Sequence, residues 1–281
     1  MKLSVIGCGT MGNGIAHVFA QNGHDVNLID LSQENLDRAM ATIEKNLGRL
    51  VKKERITEEV AKATLGRLKA TTDLNNASDS ELVIEAVFES FEVKKDIFTK
   101  LDEICGPDTI LASNTSSISL TKIAGVTQRA DRVIGMHFMN PVPMMKLVEI
   151  IRGQATSEAT LATITQIASD LGKTPVTVQD YPGFIANRVL MPMINEAAYC
   201  MMEGVADKDA IDTVMKLGMA HPMGPLQLAD FIGLDICLDI MEVLYEGFGD
   251  SKYRPCPLLR RMVDAGYLGR KSGMGFYDYS K

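Results

Sequence analysis

The chain has 281 residues, of which 46% are hydrophobic and 23% are charged, and its net charge is −7. This length and balance predict a globular protein with two domains, and the acidic charge argues against nucleic acid as a partner. The five cysteines include no Cys-x-x-Cys pair, so they predict neither a disulfide framework nor a metal site.

The amino-terminal sequence predicts that no targeting segment is present. Met1 leads within one residue into an apolar strand, which leaves no room for a signal or transit peptide. No apolar run approaches the ~20 residues that a membrane-spanning helix needs. Together with the odd number of cysteines, these features predict a reduced, cytoplasmic protein without a membrane partner.

A dinucleotide-binding pattern opens the chain. The predicted strand Lys2 to Ile6 is followed by Gly7-Cys8-Gly9-Thr10-Met11-Gly12 and then by a helical run. Gly7 permits a tight turn, Gly9 permits close approach of a pyrophosphate, and Gly12 permits the helix to pack on the strand. The alternative is a glycine turn that binds no ligand.

The next predicted strand, Asp25 to Asp30, ends in a residue that indicates which dinucleotide binds. A carboxylate at Asp30 would bind a ribose 2′-hydroxyl and repel a 2′-phosphate. The helix that starts near Thr10 and Met11 would present its N–H groups to the phosphates. The pattern therefore favours NAD over NADP.

An insertion follows the second strand. The segment Gln33 to Lys69 is predicted to form two helices, the second opened by Thr57, and it has a surplus of three positive charges. Lys45, Arg49 and Lys53 recur every four residues and share one helical face, which suits several phosphates. The alternative is an ordinary solvated helix face.

Further apolar strands alternate with helices and predict a Rossmann-type, mostly parallel sheet with a helical-hairpin insertion. These strands are Leu82 to Ala86, Thr109 to Ser113, Arg132 to His137, Lys146 to Ile151 and Thr174 to Gln179, with a helix from Ser157 to Leu171. The sequence Asn114-Thr115-Ser116-Ser117 follows one strand at the edge where such folds bind ligands. As a loop motif it is also typical of ordinary turns.

His137 and Glu149 are predicted to form an acid–base pair. If the runs on either side of Pro143 pair as antiparallel strands, residues whose numbers sum to 286 face each other, which places His137 opposite Glu149. A histidine held by a carboxylate is a common general base. The alternative is a structural histidine.

The pattern changes after Gly183, where only helical periodicity remains. We expect a dinucleotide-binding domain over residues 1–182 and a smaller all-α domain over 183–281. We expect five helices in the all-α domain. The first passes through Arg188 and Glu196, and the second runs from Asp207 to Gly218. The third follows Pro225, the fourth begins at Asp235, and the fifth covers Leu258 to Val263. The helical domain is also rich in methionine, at Met191, Met193, Met201 and Met202. These methionines favour a homodimer interface, and adaptable core packing is the alternative.

Several motifs, in one order along nearly the whole chain, resemble the L-3-hydroxyacyl-CoA dehydrogenases. They are the glycine loop, Ser113–Ser117, His137–Glu149, Pro182–Arg188, His221–Pro225 and Gly269–Gly273. The short length and the terminal Gly275–Tyr279 are most similar to members that act on 3-hydroxybutyryl-CoA.

The resemblance implies a role for each matching residue. It implies that His137 is the general base, that Glu149 is its partner, and that Ser116 and Asn187 contact the substrate oxygens. The implied contacts with the nicotinamide and ribose are Glu89, Lys94, Asn114, Asn140 and Lys271. Arg49 and Lys53 stand where relatives carry lysines that contact coenzyme A.

The implied reaction is NAD-dependent interconversion of 3-hydroxyacyl-CoA and 3-ketoacyl-CoA, with acetoacetyl-CoA as the short-chain ketone. Cys8 stands where relatives often have alanine, and Met139 stands where phenylalanine is common, which leaves the shape of the acyl pocket open. Two alternatives remain: a lambda-crystallin-like dehydrogenase of a small hydroxy acid such as L-gulonate, and a non-catalytic NAD-binding structural protein. The basic helix face argues against the first, and the intact Ser116, His137, Glu149 and Asn187 argue against the second.

Overall fold

One mixed sheet of eight strands organises the first part of the computed structural model, which describes residues 1–280. The strands are β1 Lys2–Ile6, β2 Asp25–Ile29, β3 Leu68–Thr71, β4 Leu82–Glu85, β5 Ile110–Ser113, β6 Val133–Phe138, β7 Leu147–Arg152 and β8 Thr174–Gln179. Their order is β3-β2-β1-β4-β5-β6-β7-β8. Only β6 and β7 pair antiparallel, so the prediction of a mostly parallel Rossmann-type sheet is confirmed.

Six helices accompany the sheet. They are α1 Thr10–Gln21, α2 Gln33–Lys52, α3 Glu58–Gly66, α4 Phe91–Ile104, α5 Leu120–Ala124 and α6 Glu158–Asp170. Side chains of Ser32, Thr57 and Ser157 accept hydrogen bonds from backbone N–H groups at the starts of α2, α3 and α6. Such caps satisfy N–H groups that have no partner within the helix, so these sequence positions set where the helices begin.

The helical hairpin ends earlier than the sequence pattern predicts. The helical periodicity extends to Lys69, whereas α3 ends at Gly66 and Leu68–Thr71 forms the edge strand β3 beside β2. This strand is four residues long, and none of its residues is buried. Four residues are too few to show the alternation of apolar and polar side chains that identifies a strand in a sequence. Pairing with β2 therefore decides the conformation of this segment.

One part of the core of the first unit lies between the sheet and one face each of α1, α2 and α6. Ile15 and Phe19 of α1, Leu36 of α2 and Ile164 of α6 pack against the buried strand residues. Burial of such apolar side chains supplies most of the favourable free energy of folding. The core therefore holds α1, and with it the loop that precedes α1, against the sheet.

Arg129 joins the end of α4 to the segment before β5. Its Nε donates to Asp102 Oδ1 at 2.6 Å, Nη2 donates to the carbonyls of Asp102 and Cys105 at 2.8 and 3.0 Å, and Nη1 donates to the carbonyl of Gly106. In an Arg129→Ala variant we expect the free energy of unfolding in urea to fall by about 3–5 kcal/mol, because Asp102 and several carbonyls lose their partner.

Arg132→Ala is the matched control, since Arg132 pairs with the exposed Asp108 at 2.9 Å and lies nearby on the surface. That variant should lose no more than about 1 kcal/mol, as exposed ion pairs do. Equal unfolding free energies for the two variants would contradict the role given to Arg129.

By contact, the chain divides into two compact units, Met1–Asp180 and Tyr181–Lys281. The second contains α7 Ala186–Met202, α8 Lys208–Thr213, α9 Pro225–Ile232, α10 Leu234–Phe248 and α11 Pro257–Asp264. A π-helical turn at Val214–Gly218 extends α8, and bridges of Met274 with Gly269 and Asp278 fold the carboxyl-terminal segment. The second unit is thus helical, as predicted, except for these isolated bridges.

The methionines of the second unit divide between core and surface. Met191 is buried in its core, and Met193 and Met201 are half-buried. Met202 is 39% exposed. Core packing therefore accounts for Met191, whereas Met202 belongs to the surface of the unit.

Candidate active site

The loop between β1 and α1 is closely packed on one side and open on the other. Gly7 has a φ of +94°, a conformation that favours glycine. A Cβ added at Gly12 would lie 1.8 Å from the carbonyl oxygen of Gly7. A Cβ added at Gly9 would meet no atom within 4 Å. The loop therefore leaves room at Gly9 for a ligand to approach the backbone, which fits a dinucleotide pyrophosphate.

Asp30 follows β2 and faces the same loop. Its carboxylate accepts hydrogen bonds from the N–H groups of Cys8 at 2.9 Å and Ser32 at 3.1 Å. Partial burial opposes ionisation, but hydrogen bonds to the carboxylate, first of all the one from the Cys8 N–H group, hold the pKa of Asp30 below its ordinary value. A cavity of about 670 Å³, lined by Gly9, Asp30 and Phe88 among others, adjoins the carboxylate. These residues fit the ribose end of NAD.

An Asp30→Ala variant should discriminate less between NADH and NADPH. A carboxylate at this position is expected to bind a 2′-hydroxyl and to repel a 2′-phosphate. The kcat/KM for NADH divided by that for NADPH should therefore fall about 10-fold or more. Asp30→Asn, which retains an acceptor for the Cys8 N–H group, should relax discrimination with a smaller loss of NADH affinity. A wild-type enzyme that prefers NADPH would contradict this interpretation.

His137 and Glu149 face each other across the β6–β7 pair. The antiparallel register pairs His137 with Glu149, as the numbering argument predicts. The His137 Nδ1 atom lies 2.8 Å from Glu149 Oε2, and the side chains are 10% and 3% exposed. With the Nδ1 proton donated to the carboxylate, Nε2 is the basic nitrogen of the neutral ring. The pair can therefore take up a proton at Nε2 while Glu149 stabilises the charge that results.

Asn114 connects the loop after β5 to the strand that carries His137. Its side-chain oxygen accepts a hydrogen bond from the N–H group of Phe138 at 2.9 Å. Ser116 lies in the same loop, and Glu89 Oε1 accepts a hydrogen bond from its N–H group at 2.9 Å. The structure thus brings Ser116 and Glu89 together and ties Asn114 to the end of β6.

Lys94 lies beneath this loop on α4. It is 1% exposed, and its Nζ atom is 2.7 Å from Glu85 and 3.2 Å from Glu89. The sequence analysis did not select Glu85, which is fully buried at the end of β4. Glu85 could have been identified from the sequence as a carboxylate at the end of an otherwise apolar strand, because a buried carboxylate requires a partner.

Asn140 lines a second cavity beside the glycine loop. This cavity has a volume of about 500 Å³ and is bounded by the loop, one face of α2 and the turn from Asn140 to Pro143. Lys173 holds this turn, because its Nζ atom donates to the carbonyl oxygens of Val142 and Met145. The sequence analysis missed Lys173, since no local pattern places the segment between α6 and β8 beside this turn.

Arg49 and Lys53 lie at the exposed carboxyl end of α2. Arg49 is in the last turn, and Lys53 is the residue that caps it. Within residues 1–280 neither side chain forms an ion pair with a carboxylate. Basic side chains at this end also interact favourably with the helix dipole, so their position is compatible with both an anion site and an ordinary helix end.

Two of the predicted residues belong to the second unit. Asn187 is buried in the first turn of α7. Lys271 lies in a short turn and pairs with Asp235 at 2.6 Å.

The described part of the chain, residues 1–280, contains no cluster of three or more histidine, cysteine or acidic side chains placed to hold a metal. None of the helices in that range is long and apolar enough to cross a membrane.

The open glycine loop, Asp30 and the His137–Glu149 pair define a dinucleotide-dependent dehydrogenase. The family model described as 3-hydroxyacyl-CoA dehydrogenase, NAD binding domain, matches residues 2–181, and the model of the C-terminal domain matches residues 183–279. The chain therefore belongs to the 3-hydroxyacyl-CoA dehydrogenase family, and its cofactor is NAD.

Three similar proteins match this chain over nearly their whole length. A probable 3-hydroxybutyryl-CoA dehydrogenase of Deinococcus radiodurans is 58% identical over 99% of this chain and 100% of the relative. The 3-hydroxybutyryl-CoA dehydrogenase of Clostridioides difficile is 53% identical over 100% of both. The crystal structure of (S)-3-hydroxybutyryl-CoA dehydrogenase from Ralstonia eutropha has a TM-score of 0.98 at 51% identity and covers 100% of this chain and 99% of that one.

Proposed function

We propose that this chain interconverts (S)-3-hydroxybutyryl-CoA and acetoacetyl-CoA with NAD. The observation that carries the proposal is the buried His137–Glu149 pair, at 2.8 Å, on β6 and β7. His137 lies near the carboxyl end of β6, at the same edge of the sheet as the glycine loop and Asp30. The similarity to 3-hydroxybutyryl-CoA dehydrogenases supports the four-carbon acyl chain.

In the oxidation direction, His137 Nε2 would accept the proton of the 3-hydroxyl group. NAD, when bound, supplies the acceptor for the hydride that leaves C3. Glu149 keeps the ring oriented through Nδ1 and stabilises the imidazolium. We assign Ser116 and Asn187 to the substrate oxygens. In the reverse direction His137 returns its proton to the ketone oxygen, and such general acid–base action is typically worth ~10²–10⁴ in rate.

For the assignments around the nicotinamide and ribose we propose Asn114, Asn140 and Lys271 as direct contacts, with Glu89 and Lys94 at the edge of the same region. Asn140 lines the cavity beside Gly9, which supports its position. Lys94 is almost fully buried between two carboxylates, so its influence on the cofactor would pass mainly through Glu89.

A continuous face of α2 supports coenzyme A as the carrier of the acyl group. Arg38, Thr42 and Asn46 line the cavity of about 500 Å³ and lie four residues apart. Arg49 and Lys53 extend this face beyond the cavity, and Arg49 Nη1 is 3.5 Å from Asn46 Oδ1. An extended ligand could therefore place its acyl end near the turn after His137 and its phosphates on the basic end of the helix.

One assay tests the proposal against the two alternatives. The oxidation of NADH is followed with acetoacetyl-CoA, with free acetoacetate and with 3-dehydrogulonate. We expect turnover with acetoacetyl-CoA and little with the two free acids. Preference for a free acid would favour a dehydrogenase of small hydroxy acids, and turnover of none of the three would favour a non-catalytic protein.

We also propose a homodimer formed through the second unit, in the cytoplasm. Val205, Leu217 and Met219 are 71%, 83% and 60% exposed and flank α8 along the chain, and an apolar surface formed by such residues would be covered in a dimer. The five cysteines are free thiols, which supports a reducing compartment. Light scattering should give twice the mass of the chain, and a monomeric mass would contradict the dimer.

A further inference from the structure

A buried ion cluster connects the end of β4 to α4. Glu85 is fully buried, and its Oε1 atom accepts hydrogen bonds from Lys94 Nζ at 2.7 Å and from the N–H group of Val87 at 2.7 Å. Its Oε2 atom accepts the hydroxyl hydrogen of Ser113 at 2.6 Å. Both carboxylate oxygens are therefore occupied, as a buried charge requires.

The second carboxylate bound to Lys94 holds the serine-rich loop. Glu89 Oε1 accepts hydrogen bonds from the N–H groups of Ser116 and Ser117 at 2.9 and 3.0 Å, and from the hydroxyl group of Thr115 at 2.5 Å. The hydroxyl groups of Ser116 and Ser117 also lie 3.4 and 3.0 Å from this oxygen. The position of the Ser116 hydroxyl group therefore depends on where Glu89 is held.

Lys94 is shared unequally between the two carboxylates. Its Nζ atom is closer to Glu85, at 2.7 Å, than to Glu89, at 3.2 Å. An ammonium group this deeply buried would move fully to Glu89 if Glu85 lost its charge, because an unpaired buried charge is costly. Such a move draws Glu89 towards α4 and away from the N–H groups of the loop. Glu85 thus restrains Lys94 and leaves Glu89 available to the loop.

We propose that Glu85 is a positioning residue for the reaction, acting through Lys94 and Glu89 on the Ser116 hydroxyl group. The proposal rests on the proposed function, in which Ser116 contacts a substrate oxygen. Glu85 itself touches neither substrate nor cofactor. Its effect on catalysis should therefore require the Ser116 side chain.

A double-mutant cycle between Glu85→Gln and Ser116→Ala tests this dependence. Glu85→Gln alone should lower kcat with acetoacetyl-CoA by up to about 100-fold, as a small misplacement of a reacting group does. In the Ser116→Ala background the same change should alter kcat less than about twofold, because the group that it positions is gone. Equal losses in both backgrounds would show a general structural effect and overturn the proposal.

A milder variant covers the case in which Glu85→Gln does not fold. Ser113→Ala keeps all charges and removes two hydrogen bonds, the one that Ser113 donates to Glu85 and the one that it accepts from the Thr115 N–H group. A smaller loss of kcat is expected, again absent in the Ser116→Ala background. Ser4→Ala is the matched control, because Ser4 is a buried strand serine bonded to Ser80 at 2.8 Å, outside the cluster. It should leave kcat unchanged.

Hydrogen exchange separates this proposal from the proposed function. The Ser116 and Ser117 amide hydrogens bound to Glu89 should exchange faster in Glu85→Gln than in wild type or Ser4→Ala, whatever substrate the enzyme uses. Unchanged exchange over residues 113–118 would overturn the positioning role even in an enzyme active with acetoacetyl-CoA. Faster exchange in a protein inactive with acetoacetyl-CoA would instead reject the proposed substrate and retain the link from Glu85 to the loop.

Discussion

The His137→Gln variant should lose two to four orders of magnitude in kcat with acetoacetyl-CoA, about the range that general acid–base catalysis contributes. Glutamine keeps a polar side chain in the pocket, yet it cannot take up and return a proton near neutral pH. The Kd for NADH, measured by fluorescence titration, should change little, because the glycine loop and Asp30 are untouched. Loss of kcat without loss of cofactor binding would place His137 at the chemical step.

Two further variants make this result specific. Glu149→Gln retains an oxygen acceptor for the Nδ1 hydrogen but lacks the negative charge, so its turnover should also be slow. His24→Gln, in the turn between α1 and β2, is the control and should turn over at a rate close to that of wild type. Near-normal turnover by His137→Gln would remove His137 from the mechanism and favour a structural histidine.

The double variant Arg49→Ala with Lys53→Ala should raise the KM for acetoacetyl-CoA and leave the KM for NADH nearly unchanged. Each lost phosphate contact at an exposed site is expected to weaken binding roughly 5- to 30-fold at low salt, and ionic screening reduces the effect. Turnover by the variant should also be less sensitive to salt than that of wild type.

The control for the loss of two positive charges is the double variant Lys62→Ala with Lys216→Ala, which removes two exposed lysines outside this face of α2. That variant should bind both substrates as wild type does. If the Arg49 and Lys53 variant has a wild-type KM at low ionic strength, the two residues form an ordinary helix end, and a substrate without coenzyme A becomes the better interpretation.

Local sequence patterns predict much of the sheet and of the His137–Glu149 pair. Strand residues alternate or run apolar over a few positions, and Pro143 marks the turn, so the register between β6 and β7 follows from numbering alone. Part of the packing in the glycine loop is likewise local, because Gly12 lies against the carbonyl of Gly7, five residues earlier, with no room for a Cβ.

The methionine pattern shows where such reasoning stops. Met191 and Met202 lie on the same helix, α7, yet Met191 is buried and Met202 is exposed. Periodicity does not separate them, because they are about three helical turns apart and therefore lie on nearly the same face of α7, with Met202 as its last residue. Only the arrangement of the neighbouring helices decides which methionines form the core.

The sequence by itself determined the glycine loop, the start of α3 at Thr57, and the pairing of His137 with Glu149, because each depends on residues close in the chain or on a single turn. Tertiary structure decided the edge strand β3, the clamp of Lys173 on the turn after β6, and the burial of Lys94 between Glu85 and Glu89. Those features depend on which elements become neighbours in the fold, since a buried charge or a short edge strand is stable only beside a partner that is distant in the sequence.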